Sequence, residues 1–177
     1  VDINFNEATT SSIRFDVGGR VADLNGDGLV DLVKAYGSST AQQLTDGVYL
    51  NNGAGWDATS TNAWSLPTSE YFSFYYDAIN SDGTDFGARF ADFNADGLTD
   101  ILYSRTYGSL PYINIYFNDG DGSWTETVPG GDIASSTDFT ALGDGGYRLA
   151  DINSDGLTDI VYTKGASCQT VYLNTDA

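Results

Sequence analysis

Residues 85–102 read DFGARFADFNADGLTDIL, and the nine residues at their centre, Asp92-Phe93-Asn94-Ala95-Asp96-Gly97-Leu98-Thr99-Asp100, decide how the rest of the chain is read. Oxygen-bearing side chains stand at positions 1, 3, 5 and 9 of this nonapeptide, and Gly stands at position 6. Alternate Asp and Asn side chains converge when the backbone curls, and Gly permits the sharp turn that the curl needs. The carbonyl of Leu98 at position 7 then joins the set, and Asp100 closes it. A donor set made only of oxygen, with no His and no thiolate, suits calcium rather than zinc or copper.

The same phrase stands at two other places. Residues 16–33 read DVGGRVADLNGDGLVDLV and residues 144–161 read DGGYRLADINSDGLTDIV, and both align with 85–102 without a gap. The expected calcium ligands are therefore Asp23, Asn25, Asp27, Leu29 and Asp31 in the first copy. They are Asp92, Asn94, Asp96, Leu98 and Asp100 in the second, and Asp151, Asn153, Asp155, Leu157 and Asp159 in the third. One copy would also suit a plain tight turn; three copies in register argue for three bound calcium ions. The loop is not an EF-hand, because position 12 holds Lys34, Tyr103 and Tyr162 instead of a carboxylate.

A second element follows each loop: Val48-Tyr49-Leu50-Asn51, Ile115-Tyr116-Phe117-Asn118 and Val171-Tyr172-Leu173-Asn174. In the first two copies it runs into a Gly-rich turn and a Trp, Trp56 and Trp124. Short apolar runs such as Leu32-Val33, Ile101-Leu102 and Ile160-Val161, and the aromatic run Tyr71-Phe72-Ser73-Phe74-Tyr75-Tyr76, read as strands cut by Asn, Asp and Gly. No capped stretch has apolar residues at helical spacing. The expected fold is all-β, with three blades of antiparallel strands of β-propeller type, open or completed by a neighbouring copy. The chain is expected to be one repeat domain, 1–177, with repeats near 1–70, 71–130 and 131–177. The third repeat stops without its turn and Trp.

The motif R-h-A-D-h-N-x-D-G-L-x-D-h, with h apolar, resembles the FG-GAP/VCBS repeats of integrin-type β-propellers and of many secreted or surface proteins. The resemblance covers nearly the whole chain. It implies that each calcium loop lies in a hairpin between two blade strands, with the ligands already named. Three repeats are fewer than the ~4–8 blades of a closed propeller.

Arg20, Arg89 and Arg148 each stand three residues before the first ligand. They are expected to be buried supports whose guanidinium groups hydrogen-bond to carbonyls or carboxylates beside the loop. Trp56, Trp64 and Trp124 are expected to pack between blades; Trp56 and Trp124 are also candidate glycan contacts. The lone Cys168 forms no intrachain disulfide.

Composition narrows the partners. The chain carries 25 acidic and 7 basic residues and no His, a net charge of −18. That charge repels nucleic acid and anionic membrane surfaces. No apolar stretch reaches the ~20 residues of a membrane helix. Without His there is no Ser-His or Cys-His pair, so a non-enzymatic protein is expected. Residues 1–6 show neither signal-peptide regions nor an initiator Met, as expected of a chain processed or cut from a longer one. Weak calcium loops fill only where calcium is millimolar, which places the chain outside the cell or at its surface. The expected role is a calcium-stabilised structural or adhesion module that self-assembles head to tail, or belongs with flanking repeats of a longer chain. An extracellular glycan or protein is the expected ligand; a lectin-like propeller is the alternative. The alternating segment Val1-Asp2-Ile3-Asn4-Phe5 is expected to complete the third blade of a neighbour by strand addition.

Overall fold

The computed structural model describes residues 18–38, 45–57, 64–67, 75–77, 84–85, 87–107, 110–129, 146–164 and 168–175, and every regular element among them is a strand. The chain divides into two compact units, Val1–Phe86 with Gly120–Ser123, and Gly87–Asp119 with Trp124–Ala177. The repeats do not form one unit each: the first sheet lies in the first unit, and the other two share the second.

In the first unit, β2 (Asp31–Ser38) pairs antiparallel with β1 (Gly19–Ala22) and with β3 (Thr45–Tyr49). The aromatic run contributes its last two residues to β4 (Tyr75–Asp77); its first four lie outside the described residues. β4 runs parallel to the end of β2, with Tyr36 opposite Tyr75, and so departs from the antiparallel pattern expected of a blade. A short β5 (Thr84–Asp85) closes this side. The Asn-Gly-rich turn after Leu50 folds back through a bridge between Asn51 and Trp56.

The second unit holds two antiparallel sheets. The first is β6 (Ala88–Ala91), β7 (Asp100–Tyr107), β8 (Leu110–Asn118) and β9 (Trp124–Thr127), in that order. The other is β10 (Tyr147–Ala150), β11 (Asp159–Lys164) and β12 (Cys168–Tyr172). Side chains alternate across a strand, so each sheet offers two faces. The Arg-bearing face of the four-stranded sheet supplies Leu102, Ile113 and Ile115, and its loop supplies Phe93. Ile160, Tyr147, Leu149 and Tyr172 of the three-stranded sheet pack against them. Phe93, Leu102 and Ile160 are fully buried, each stabilising the pair of sheets by about 1.5–3 kcal/mol.

The architecture is thus all-β, with one sheet of propeller-blade type for each repeat. The register repeats as well: Ala22 faces Asp31, Ala91 faces Asp100 and Ala150 faces Asp159. Each predicted metal loop is therefore the connection of a hairpin, as the family resemblance implies. Residues 1–5, expected to complete a neighbour's blade, lie outside the described residues.

Candidate metal centre

The three hairpin loops share one network of hydrogen bonds. In each, the Asn at position 3 accepts from the backbone N–H of position 5: Asp27 to Asn25 at 3.1 Å, Asp96 to Asn94 at 3.1 Å, Asp155 to Asn153 at 3.0 Å. The Asp at position 5 accepts from the N–H of position 7, Leu29, Leu98 or Leu157, at 2.8 Å in all three. The Asp at position 1 accepts from the Gly at position 6: Gly28 to Asp23 at 2.8 Å, Gly97 to Asp92 at 2.9 Å, Gly156 to Asp151 at 3.1 Å. All of these bonds lie within the loop itself, so its Asp and Asn side chains shape the curl locally.

The curl requires left-handed backbone at two positions. Position 6 is Gly in every loop, with φ of 84°, 87° and 92° at Gly28, Gly97 and Gly156. Position 4 is Gly26 in the first loop, but Ala95 and Ser154 hold φ of 61° and 63° in the others. A left-handed non-glycine residue costs of order 1 kcal/mol and persists because its surroundings over-determine it.

Position 9 differs from positions 1, 3 and 5. Asp31, Asp100 and Asp159 are 0 % exposed. Asp100 accepts from Phe93 N–H at 2.8 Å and Asn118 N–H at 2.9 Å, one on each carboxylate oxygen. Asp31 does the same with Leu24 and Asn51, and Asp159 with Ile152 and Asn174. The closing Asp therefore ties the loop to the strand that follows the hairpin. Burial pushes the carboxyl of Asp100 up to about 6; the two N–H donors oppose this, and the charges of Asp96 and Asp92 add to it. Asp31 is raised for the same reasons, with burial foremost.

Among the described residues no three acidic side chains converge into a metal cage. Their oxygens are turned to backbone N–H groups instead, an arrangement that keeps like charges apart. One atom departs from this. Asp92 Oδ1 is buried and has no hydrogen-bond partner. Its counterparts are bonded, Asp23 Oδ1 to Gly26 N–H at 2.9 Å and Asp151 Oδ1 to Asp155 N–H at 3.2 Å. A buried carboxylate oxygen without a donor is costly unless a cation meets it. The all-oxygen donor set and this oxygen both fit calcium.

Asn51, Asn118 and Asn174 belong to the site as well, although the ligand spacing did not single them out. Asn51 and Asn118 send their side-chain amides back to their own loops, to Val30 O at 3.0 Å and Thr99 O at 3.2 Å. Asn174 instead reaches Phe93 O in the second loop at 2.7 Å. Thr158 Oγ donates to Asp92 O at 2.6 Å, so the third repeat is bonded twice to the second loop, once from its own loop and once from Asn174. The signal was an Asn closing the same four-residue phrase in each repeat.

The three Arg residues do not share one burial. Each donates from Nη1 to the carbonyl of its own preceding residue: Arg20 to Gly19 at 2.8 Å, Arg89 to Ala88 at 2.8 Å, Arg148 to Tyr147 at 2.7 Å. Arg20 and Arg89 are half-buried but Arg148 is exposed, because the sheet face that carries it is uncovered. Trp56 is 44 % exposed beside the first loop, with its indole N–H on Val30 O at 3.1 Å. Trp124 opens β9 and, like Trp64, is half-buried.

Residues 92–162, which take in the second and third loops, match the family model described as FG-GAP-like repeat. The comparisons with curated proteins and with solved structures give no match.

Proposed function

From an FG-GAP-like repeat over residues 92–162 as premise, we propose that the chain is a non-enzymatic structural or adhesion module of the extracellular space or cell surface, stabilised by three calcium ions. The unpartnered Asp92 Oδ1, set in a loop whose hydrogen bonds recur in three copies, carries this reading. A calcium ion would supply the positive charge that three neighbouring carboxylates lack. Positions 1, 3, 5 and 9, with the carbonyl of position 7, would hold it. The Asp and Asn side chains already fix the curl of each loop, and calcium binding would turn their oxygens from the N–H donors to the ion. Three ions would bring the net charge from −18 to −12.

Calorimetric titration of the metal-free chain tests this. The expected result is three calcium ions per chain, falling to two in each of Asp27→Ala, Asp96→Ala and Asp155→Ala. No binding at millimolar calcium would overturn the reading. Trp56 favours a second function, glycan binding, because an exposed indole lies beside a candidate calcium loop. A glycan array probed with the wild type and Trp56→Ala decides it.

A further inference from the structure

The third repeat differs from the other two in where it sends its hydrogen bonds. Asn51 and Asn118 return their side-chain amides to their own loops, to Val30 O and Thr99 O. Asn174, at the same place in its repeat, crosses to Phe93 O in the second loop at 2.7 Å. Thr158, which stands between Leu157 and Asp159 of its own loop, crosses as well, with its hydroxyl on Asp92 O at 2.6 Å. The first loop has Val30 at this position, which carries no hydroxyl. The loops also approach each other at a third point. A Cβ on Gly156 would stand 3.8 Å from that of Ala95, so the left-handed step of the second loop lies against the Gly of the third. All of these crossing contacts fall within one compact unit.

The two crossing bonds land on consecutive peptide groups. Asp92 O belongs to the peptide whose N–H, on Phe93, donates to Asp100 Oδ2 at 2.8 Å. A donor on the carbonyl of a peptide polarises the group and strengthens the bond that its N–H makes. Phe93 O belongs to the next peptide, which leads to Asn94. The third repeat therefore grips the backbone between the first two expected ligands of the second loop, and through it the closing Asp100. On its own side the grip is fastened as close to expected ligands. Asn174 N–H donates to Asp159 Oδ1 at 2.8 Å, and Thr158 is joined by peptide bonds to Leu157 and Asp159.

We propose that the second and third loops take up calcium as a positively coupled pair, each raising the affinity of the other, while the first loop binds on its own. This coupling presupposes the calcium reading of the loops and adds how the sites act on one another. Binding turns the oxygens of a loop away from its own N–H groups, which leaves the crossing bonds to hold residues 92–94. Those shared groups need fixing only once: the first ion meets the cost in conformational entropy and the second is spared it. Charge opposes this, because an ion in one loop weakens the field that draws an ion to the other. That repulsion is screened by salt over ~8 Å at physiological ionic strength, and buried hydrogen bonds are screened much less. Linkage makes the coupling reciprocal, so one factor describes both directions.

Calcium titration of the full chain at physiological salt tests this, followed at the amide resonances of Gly28, Gly97 and Gly156, with a thermal melt beside each variant. In the wild type, Gly97 and Gly156 are expected to respond together, over a narrower range of calcium than Gly28. Asp155→Ala, which empties the third loop, is expected to weaken binding at Gly97 by about fivefold or more. Asp96→Ala should weaken binding at Gly156 by the same factor, and neither should move the Gly28 curve. Thr158→Val together with Asn174→Ala removes both crossing bonds but keeps the backbone N–H for Asp159; in that background the factor should fall towards one. If the double variant does not fold, Thr158→Val alone is expected to lower the factor. Three ions that bind with each loop indifferent to the loss of the other overturn the coupling and leave the calcium reading standing. So do unequal factors in the two directions, which would trace the effect to damage by the substitutions, and a factor that survives loss of the crossing bonds. No binding at any loop overturns both.

Discussion

Asp96 and Asp100 stand four residues apart in one loop and hold different things. Asp100 accepts two backbone N–H groups in the interior, whereas Asp96 is exposed and accepts one from Leu98. Removing an acceptor from a buried N–H costs about 1–3 kcal/mol for each group stranded. Asp100→Ala is therefore expected to lower stability by roughly 3 kcal/mol even in chelator, while Asp96→Ala costs under about 1 kcal/mol there and loses the gain from calcium. Urea unfolding of both variants with and without calcium checks the contrast. Asp100 also gives the metal-free protein a pH signature. Its carboxyl is raised to about 6, with Asp96 and Asp92 as its charged neighbours. The native state thus holds this proton more tightly than the unfolded chain does, whose Asp titrates near ~3.9. The associated stability is present below the unfolded value and is lost as pH rises through about 6. In chelator, stability is expected to increase as pH falls from 7 toward 4; Asp100→Asn should flatten that slope. With calcium the sign should reverse, since proton and metal compete for the same oxygens.

At the scale of elements, the second and third loops form a hydrogen-bonded chain. Asp159 accepts the N–H of Asn174, the Asn174 amide donates to Phe93 O, and the N–H of Phe93 donates to Asp100. Thr158 adds the bond to Asp92 O. Order in one loop therefore constrains the closing carboxylate of the other. Thr158→Val keeps the shape and removes the hydroxyl, and it is expected to cost about 1 kcal/mol. It should also weaken calcium binding at the second loop several-fold while sparing the first. The amide resonances of Gly28, Gly97 and Gly156, one per loop, report each site in a calcium titration. The hairpins were legible in the sequence because everything that shapes them is local: Asx side chains, a Gly at position 6 and short apolar runs on either side. The residues expected to ligate calcium lie in the same local phrase, and the calcium titration is what tests them. The bond from Asn174 to Phe93 was not, because it joins residues brought together only by the packing of two sheets. Nor was the parallel pairing of β4 with β2, which the antiparallel pattern of a blade does not suggest. The exposure of Arg148 belongs with these, since its alignment with Arg20 and Arg89 carries no information on whether a sheet is covered.

At the scale of the whole molecule, a net charge of −18 weighs on every other term. Self-repulsion destabilises a compact state and is screened by salt over a Debye length of ~8 Å at physiological ionic strength. Calcium, bound as proposed, would act on the same repulsion and add mass action, about 2.7 kcal/mol per site at a hundredfold excess over the dissociation constant. The melting temperature in chelator should accordingly rise with added sodium chloride, and rise much less once calcium is bound. Scanning calorimetry across salt concentrations reads both slopes; equal slopes would place the repulsion away from the loops. The left-handed positions have a consequence of another kind. Ala95 and Ser154 hold φ of 61° and 63° where the first loop has Gly26. Such backbone is the exception to the handedness of a chain of L-residues, so the second and third loops each keep a mirror-image step spelled in ordinary residues.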